Sequence, residues 1–162
     1  MTAARTPVMT GGCQCGAVRY ALYAPPQGPH ICHCRMCQKA FGSYFAPLAS
    51  VPLADFAWTR GRAKTFRSSA AAERGFCGDC GTPLSIRDLD GDRIDIALGS
   101  LDRPQDVVPG RQIGAESRVP FFAALPRLPA TATEDDVPPE RLALLKSRQH
   151  PDRDTDRWPP DA

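Results

Sequence analysis

Cys32-His33-Cys34-Arg35-Met36-Cys37 puts three thiols in one short stretch, with Cys13-Gln14-Cys15 upstream and Cys77-Gly78-Asp79-Cys80 downstream. Each of the seven cysteines lies within three positions of another. Cysteines scattered through a core as small hydrophobes would not cluster this way. Disulfides fit poorly as well, because Cys-x-Cys closes a strained ring and an odd count leaves a sulfur over. The spacing therefore points to metal, with thiolate-rich tetrahedral sites suiting Zn²⁺ or an iron–sulfur centre and the chemistry favouring zinc. A small, loop-rich domain organised around metal is the fold this reading expects.

Seven ligands divide naturally into four and three. Four thiolates close a structural site, whereas three leave a position for water or substrate. The compact trio Cys32, Cys34 and Cys37 can bind one ion alone, leaving Cys13, Cys15, Cys77 and Cys80 to complete a four-thiolate site. That site would staple the start of the chain to its middle, since metal binding supplies folding free energy directly. A split in which the trio shares ligands with an outlying pair leaves awkward remainders. Gly78 and Gly81 around the last pair, and Gly11, Gly12 and Gly16 around the first, allow the tight positive-φ turns of metal knuckles.

The rest of the chain suits a mainly β domain. Its 162 residues (17.6 kDa) allow one domain with its own core, and 42% apolar with 23% charged residues excludes disorder throughout. Seventeen prolines, against a usual share of roughly 5%, call for short elements and many loops. Strand signals lie at Val18–Tyr23, Tyr44–Ser50, Lys64–Ser68 and Leu84–Ile86. They continue at Arg93–Leu98, with Ile94, Ile96 and Leu98 on one face at period two. Leu84–Leu98 reads as a hairpin, and Gln112–Ser117 as a last edge strand. Helical signal is confined to a turn at Met36–Phe41 and a short helix at Pro139–Lys146. Residues 8–133 form the expected domain, and 134–162 a short helix and a flexible tail. Gln149–Ala162 is almost entirely Pro, Asp and Arg with one Trp, a composition unable to bury a core.

Charge and targeting exclude other classes. Residues 134–162 carry eight acids and five bases, which leaves the body at +5. Seven thiolates around two Zn²⁺ would bring the body to +2, which suits small anionic ligands and is too weak for nucleic acid. No stretch is long and apolar enough to span a membrane. The N-terminus lacks the apolar core of a signal peptide, so a cytoplasmic protein is expected.

Three segments together carry a resemblance to a known family: Gly12-Cys13-Gln14-Cys15-Gly16-Ala17-Val18-Arg19-Tyr20, Cys32-His33-Cys34-Arg35-Met36-Cys37 and Phe76-Cys77-Gly78-Asp79-Cys80-Gly81. Over residues 8–125 the chain resembles the glutathione-dependent formaldehyde-activating enzymes, a family that includes the domain of centromere protein V. The resemblance implies a β-rich, tent-like fold of short antiparallel strands. It also implies a structural zinc on Cys13, Cys15, Cys77 and Cys80, and a catalytic zinc on Cys32, Cys34 and Cys37. The implied activity is condensation of formaldehyde with glutathione to S-hydroxymethylglutathione, classed as a carbon–sulfur lyase. The chain departs from many relatives late in the domain. It has Gln112-Ile113 and Pro120-Phe121 where they carry a histidine in the last strand and a tryptophan after a proline.

An open three-thiolate zinc is a net −1 centre, better suited to holding a substrate thiolate than to generating hydroxide. A small thiol, with glutathione the first candidate, is the expected partner, and Arg35 and Lys39 are candidate cations to offset the charge. His33, between two candidate ligands, could carry protons, but as an alternating strand residue it would point away from the metal. His30 and His150 read as surface residues. Tyr44, Phe45, Phe121 and Phe122 either wall a pocket or pack in the core. The alternative function is a non-enzymatic zinc module that binds a protein or nucleic acid, with both metals structural. The fourth position on Cys32, Cys34 and Cys37 separates the two readings.

Overall fold

The structure is a computed structural model that describes residues 5–159. The first four residues, and Pro160, Asp161 and Ala162 of the expected tail, lie outside the described residues. Among the described residues, ten short strands make two sheets. A three-stranded antiparallel sheet orders β1 (Met9–Gly12), β2 (Arg19–Leu22) and β5 (Phe56–Arg60). The second sheet contains β3 (Gln27–Cys32), β4 (Ala46–Pro52), β6 (Lys64–Arg67), β7 (Ala72–Phe76), β8 (Pro83–Asp88), β9 (Arg93–Ala97) and β10 (Arg111–Ile113). Its order is β10-β3-β4-β9-β8-β7-β6. All its pairings are antiparallel except β10 on β3. The helices are α1 (Arg35–Phe41) and two one-turn pieces, α2 (Thr133–Asp136) and α3 (Pro139–Leu142).

Alternation along β4 explains how this sheet serves two cores. Ala46 and Leu48 face a small cluster with Cys32 and Cys37, while Ala49 and Val51 face the main core. Ile94, Ile96 and Leu98 join that main core, as their period-two spacing predicts, and β8 and β9 pair as the expected hairpin. The last edge strand is shorter than expected. After Ile113 the chain turns through Gly114 at φ +66° into a single 3-10 turn, Ala115–Ser117. The helix expected over Pro139–Lys146 stops at Leu142. Among the described residues no helix is long and apolar enough to cross a membrane.

Two of the histidines expected at the surface are buried. His30 sits in β3 with Nδ1 3.0 Å from the Gly28 carbonyl. His150 is only 3% exposed, because residues 149–158 lie against the body instead of running free. Specific polar contacts replace the apolar core that this segment lacks. The His150 amide donates to the Gln14 carbonyl (2.8 Å), and the Trp158 indole N–H donates to the Cys15 carbonyl (2.6 Å). Arg19, itself buried, bridges Asp102 and Asp154. A Cβ on Gly16 would strike the His150 ring, so the turn between the first cysteine pair and the body requires glycine.

Burial holds the His150 pKa below its ordinary 6.5, helped by the charges of Arg19 and Arg60. Arg60 Nη1 stands 3.3 Å from His150 Nε2, a position that accommodates only the unprotonated nitrogen. The docked segment therefore favours neutral His150. Its contribution is full above pH 6.5 and declines as the pH falls toward the depressed folded value. Acidification to pH 5 should release the segment, read as loss of the shifted Trp158 indole resonance. Truncation before Gln149 should lower the melting temperature by about 5 °C through the lost charged hydrogen bonds. A pH-invariant resonance and an unchanged melting point would show that the contacts contribute nothing.

Candidate metal centres

The structure brings the seven thiols into two groups. Cys13, Cys15, Cys77 and Cys80 form one, and Cys32, Cys34 and Cys37 the other, with the sulfurs of each within 4.8 Å of one another. In the first group Cys13 follows β1 and Cys77 follows β7, so each pair hangs on the end of a strand. Two similar turns shape it. The Gly16 amide returns to the Cys13 carbonyl (3.0 Å) and the Gly81 amide to the Cys77 carbonyl (2.9 Å), with both glycines near φ +79° and +78°. Gly11, Gly12 and Gly78 do not take positive φ, so only the glycine closing each turn uses that freedom.

The Sγ atoms of Cys13 and Cys15 lie 3.5 Å apart, and those of Cys15 and Cys77 lie 3.8 Å apart. A tetrahedron with zinc–sulfur bonds of about 2.3 Å has edges of about 3.8 Å, so the donor set fits such an ion. Backbone amides of Val18 (3.2 Å) and Asp79 (3.4 Å) point at Cys13 and Cys77 Sγ and would stabilise thiolate charge. Without a cation the group resists full ionisation. Burial first, and then the neighbouring thiols, push Cys15 up to about 12. At Cys80 burial is outweighed by the Thr82 hydroxyl and amide, which bring it down to about 6.

The second group sits on the opposite side of β4. Cys32 ends β3, Cys34 caps α1, and Cys37 lies in its first turn, its amide 3.4 Å from Cys34 Sγ. Gln38 locks the surrounding loops, donating to the carbonyls of His33 (2.7 Å) and Ser117 (2.9 Å). Gly114 packs so close to the Cys34 amide that a Cβ would stand 2.8 Å from it. Arg74 reaches across from β7, and its Nη2 lies 3.4 Å from Cys37 Sγ. Burial opposes the Cys34 thiolate, but the Cys37 amide, both neighbouring sulfurs and the Arg74 charge together lower its pKa. Burial raises Cys32 to about 12 and also raises Cys37, where Arg74 acts in the opposite direction.

Among the described residues no histidine or carboxylate joins the trio. His33 is fully buried and turned to other partners. Its Nε2 is 2.9 Å from Gln112 Oε1, and its ring packs edge-on against Phe122 (4.7 Å) and Phe45 (6.1 Å). The four aromatics are therefore divided. Phe45 and Phe122 pack around His33, whereas Tyr44 and Phe121, about half exposed, meet edge-on beside a cavity of about 690 Å³. Arg35 and Lys39 project from α1 and line that cavity.

A model of the glutathione-dependent formaldehyde-activating enzyme family matches residues 8–117, a span that contains all seven cysteines. The chain belongs to this family. Outside the matched span lie Phe121, Phe122 and the docked segment at 149–158. The fold is also similar to a crystal structure of a Rhodobacter sphaeroides protein, with a TM-score of 0.52 at 23% identity. That match covers 64% of this chain and 99% of the other.

Sequence reasoning missed Arg74, Gln38 and Gly114 around the Cys32, Cys34 and Cys37 group. No local motif singles out Arg74, since only the register of β7 turns it toward the trio. Gln38 lies one position past Cys37, and helical spacing gives it no special signal.

Proposed function

We propose that this chain is a zinc enzyme acting on a thiol–aldehyde adduct. The favoured substrates are glutathione and formaldehyde, which would make it a carbon–sulfur lyase of the S-hydroxymethylglutathione synthase type. The observation that carries the reading is the trio Cys32, Cys34 and Cys37, joined by no fourth protein donor among the described residues. Cys13, Cys15, Cys77 and Cys80 would hold a second, structural zinc, and residues 8–133 would be the unit carrying the activity. Seven thiols kept for metal at the two centres suit a reducing compartment such as the cytoplasm.

A Zn²⁺ on the trio would supply an open Lewis-acid position that keeps a bound thiol ionised near neutral pH. The chain's own residues prepare that position. The Cys37 amide and Arg74 stabilise charge on the trio's sulfurs, and α1 fixes the Cys34 and Cys37 geometry. Arg35 and Lys39 at the adjoining cavities would attract an anionic thiol. In the reaction the thiol sulfur forms a bond to the formaldehyde carbon, the C=O π pair moves to oxygen, and the thiol proton ends on that oxygen. The reverse step breaks the same S–C bond.

Formaldehyde and glutathione also combine unaided, so the test is an exchange rate rather than product formation. Exchange NMR between free formaldehyde and S-hydroxymethylglutathione should speed up in proportion to zinc-loaded protein. Exchange equal to the protein-free rate would refute the enzyme reading.

A further inference from the structure

Beside the trio lies a cavity of about 470 Å³ between α1 and the β6–β7 hairpin, lined by Arg35, Lys39, Arg67 and Arg74 with Met36 and Phe66 among the apolar residues. No acidic side chain is among its lining residues. Arg74 is only 6% exposed, yet its Nε and Nη1 have no hydrogen-bond partner among the described residues; Nη2 alone is engaged, by Cys37 Sγ. A guanidinium is charged at any physiological pH, and buried donors left unpaired are costly. Strand register explains how it comes to be here. Arg74 is opposite Phe66 in the β6–β7 pair, so the two share the face turned toward α1.

Charge counting gives the unpaired donors a purpose. Three thiolates and one divalent metal total −1, which a single cation would offset. Four cations line the adjoining cavity, enough to receive both a substrate thiolate and a further anionic group. We propose that this cavity is a carboxylate subsite, with Arg74 as the anchoring residue and Arg35, Lys39 and Arg67 at the rim. It selects thiols that also carry a carboxylate. This inference rests on the thiol reading above and adds which end of the substrate is recognised and by what. Arginine suits the task because its donors, buried and unpaired in the free protein, can pair with a carboxylate oxygen once the guanidinium turns into the cavity.

The test is calorimetric titration of the zinc-loaded protein at low salt with 3-mercaptopropionate and with 2-mercaptoethanol, which lacks the carboxylate. The acid should bind about tenfold more tightly, the worth of a charge-assisted hydrogen bond. Arg74→Gln should erase that preference, and Arg35→Ala with Lys39→Ala, both at exposed positions, should reduce it severalfold without threatening the fold. S-Methylglutathione keeps its carboxylates but has no free thiol. It should bind the wild-type protein and not Arg74→Gln, whether or not a thiol reaches the metal. The subsite is overturned if both thiols bind the wild-type protein equally and S-methylglutathione does not bind, although thiol coordination would then stand. It is equally overturned if Arg74→Gln weakens both thiols by the same factor, because Arg74 would then serve only to offset the cluster's charge.

Discussion

Cys77→Ser should leave the protein without a cooperative thermal transition and with at most one zinc per chain. Cys77 is 1% exposed at the end of β7, and its sulfur lies 3.8 Å from that of Cys15, a residue 62 positions away. The four-thiol group therefore joins the small three-stranded sheet, through the segment after β1, to the seven-stranded sheet, through the segment after β7. Zinc on a structural site contributes roughly 10–16 kcal/mol, comparable to or larger than the 5–15 kcal/mol net stability of a whole domain. Serine is a poor zinc ligand, and three remaining thiols would leave a strained, labile site. Circular dichroism melting with metal analysis reads both effects. A variant that kept two zinc ions and a normal transition would remove the structural role of this group.

Cys34→Ala should have the opposite profile. It should empty the trio's metal site while the fold persists with its other metal. Cys32, Cys34 and Cys37 lie within one short stretch and close no long loop, and the cluster around them is small. The fold loses mainly a helix cap, since Cys34 Sγ accepts the Cys37 amide at the start of α1. Such a cap contributes about 1 kcal/mol, or roughly 2–4 °C for a chain of this size. Two thiolates hold zinc too weakly and too loosely to orient an adduct, so catalysed formaldehyde–glutathione exchange should fall to the unassisted rate. A global loss of structure would mean that the trio also acts as a structural staple.

The grouping of the cysteines was legible because metal ligation imposes local spacing, and Cys-x-Cys-x-x-Cys survives as a unit in any fold. Period two likewise exposed β9, where Ile94 and Ile96 have no alternative face. Four strands escaped notice for identifiable reasons. β1 is Met-Thr-Gly-Gly and β3 begins Gln-Gly-Pro, segments whose composition signals loop and whose pairing partners alone make them strands. β7 buries Arg74 on one face and Gly75 on the other, so it shows no apolar period-two signal. β5, Phe56-Ala57-Trp58-Thr59-Arg60, has the aromatic content of a strand but buries no residue fully, so no clear inward face marks it. The segment at 149–158 was misread because composition reports whether a segment can form its own core. It does not report whether a guanidinium, a carbonyl and a glycine turn elsewhere are waiting for Asp154, Trp158 and His150.

The central claim is that the metal on Cys32, Cys34 and Cys37 keeps a position open for a thiol. Cobalt placed on the trio, with zinc kept on the four-thiol group, reports that position through its thiolate-to-cobalt charge-transfer bands. The account predicts a three-sulfur spectrum in the free protein and a distinct strengthening of those bands when glutathione is added, absent in Cys34→Ala. A spectrum that already shows four sulfurs or a histidine, and does not change with glutathione, would contradict it. The chain would then be better described as a zinc module that binds a protein or nucleic acid.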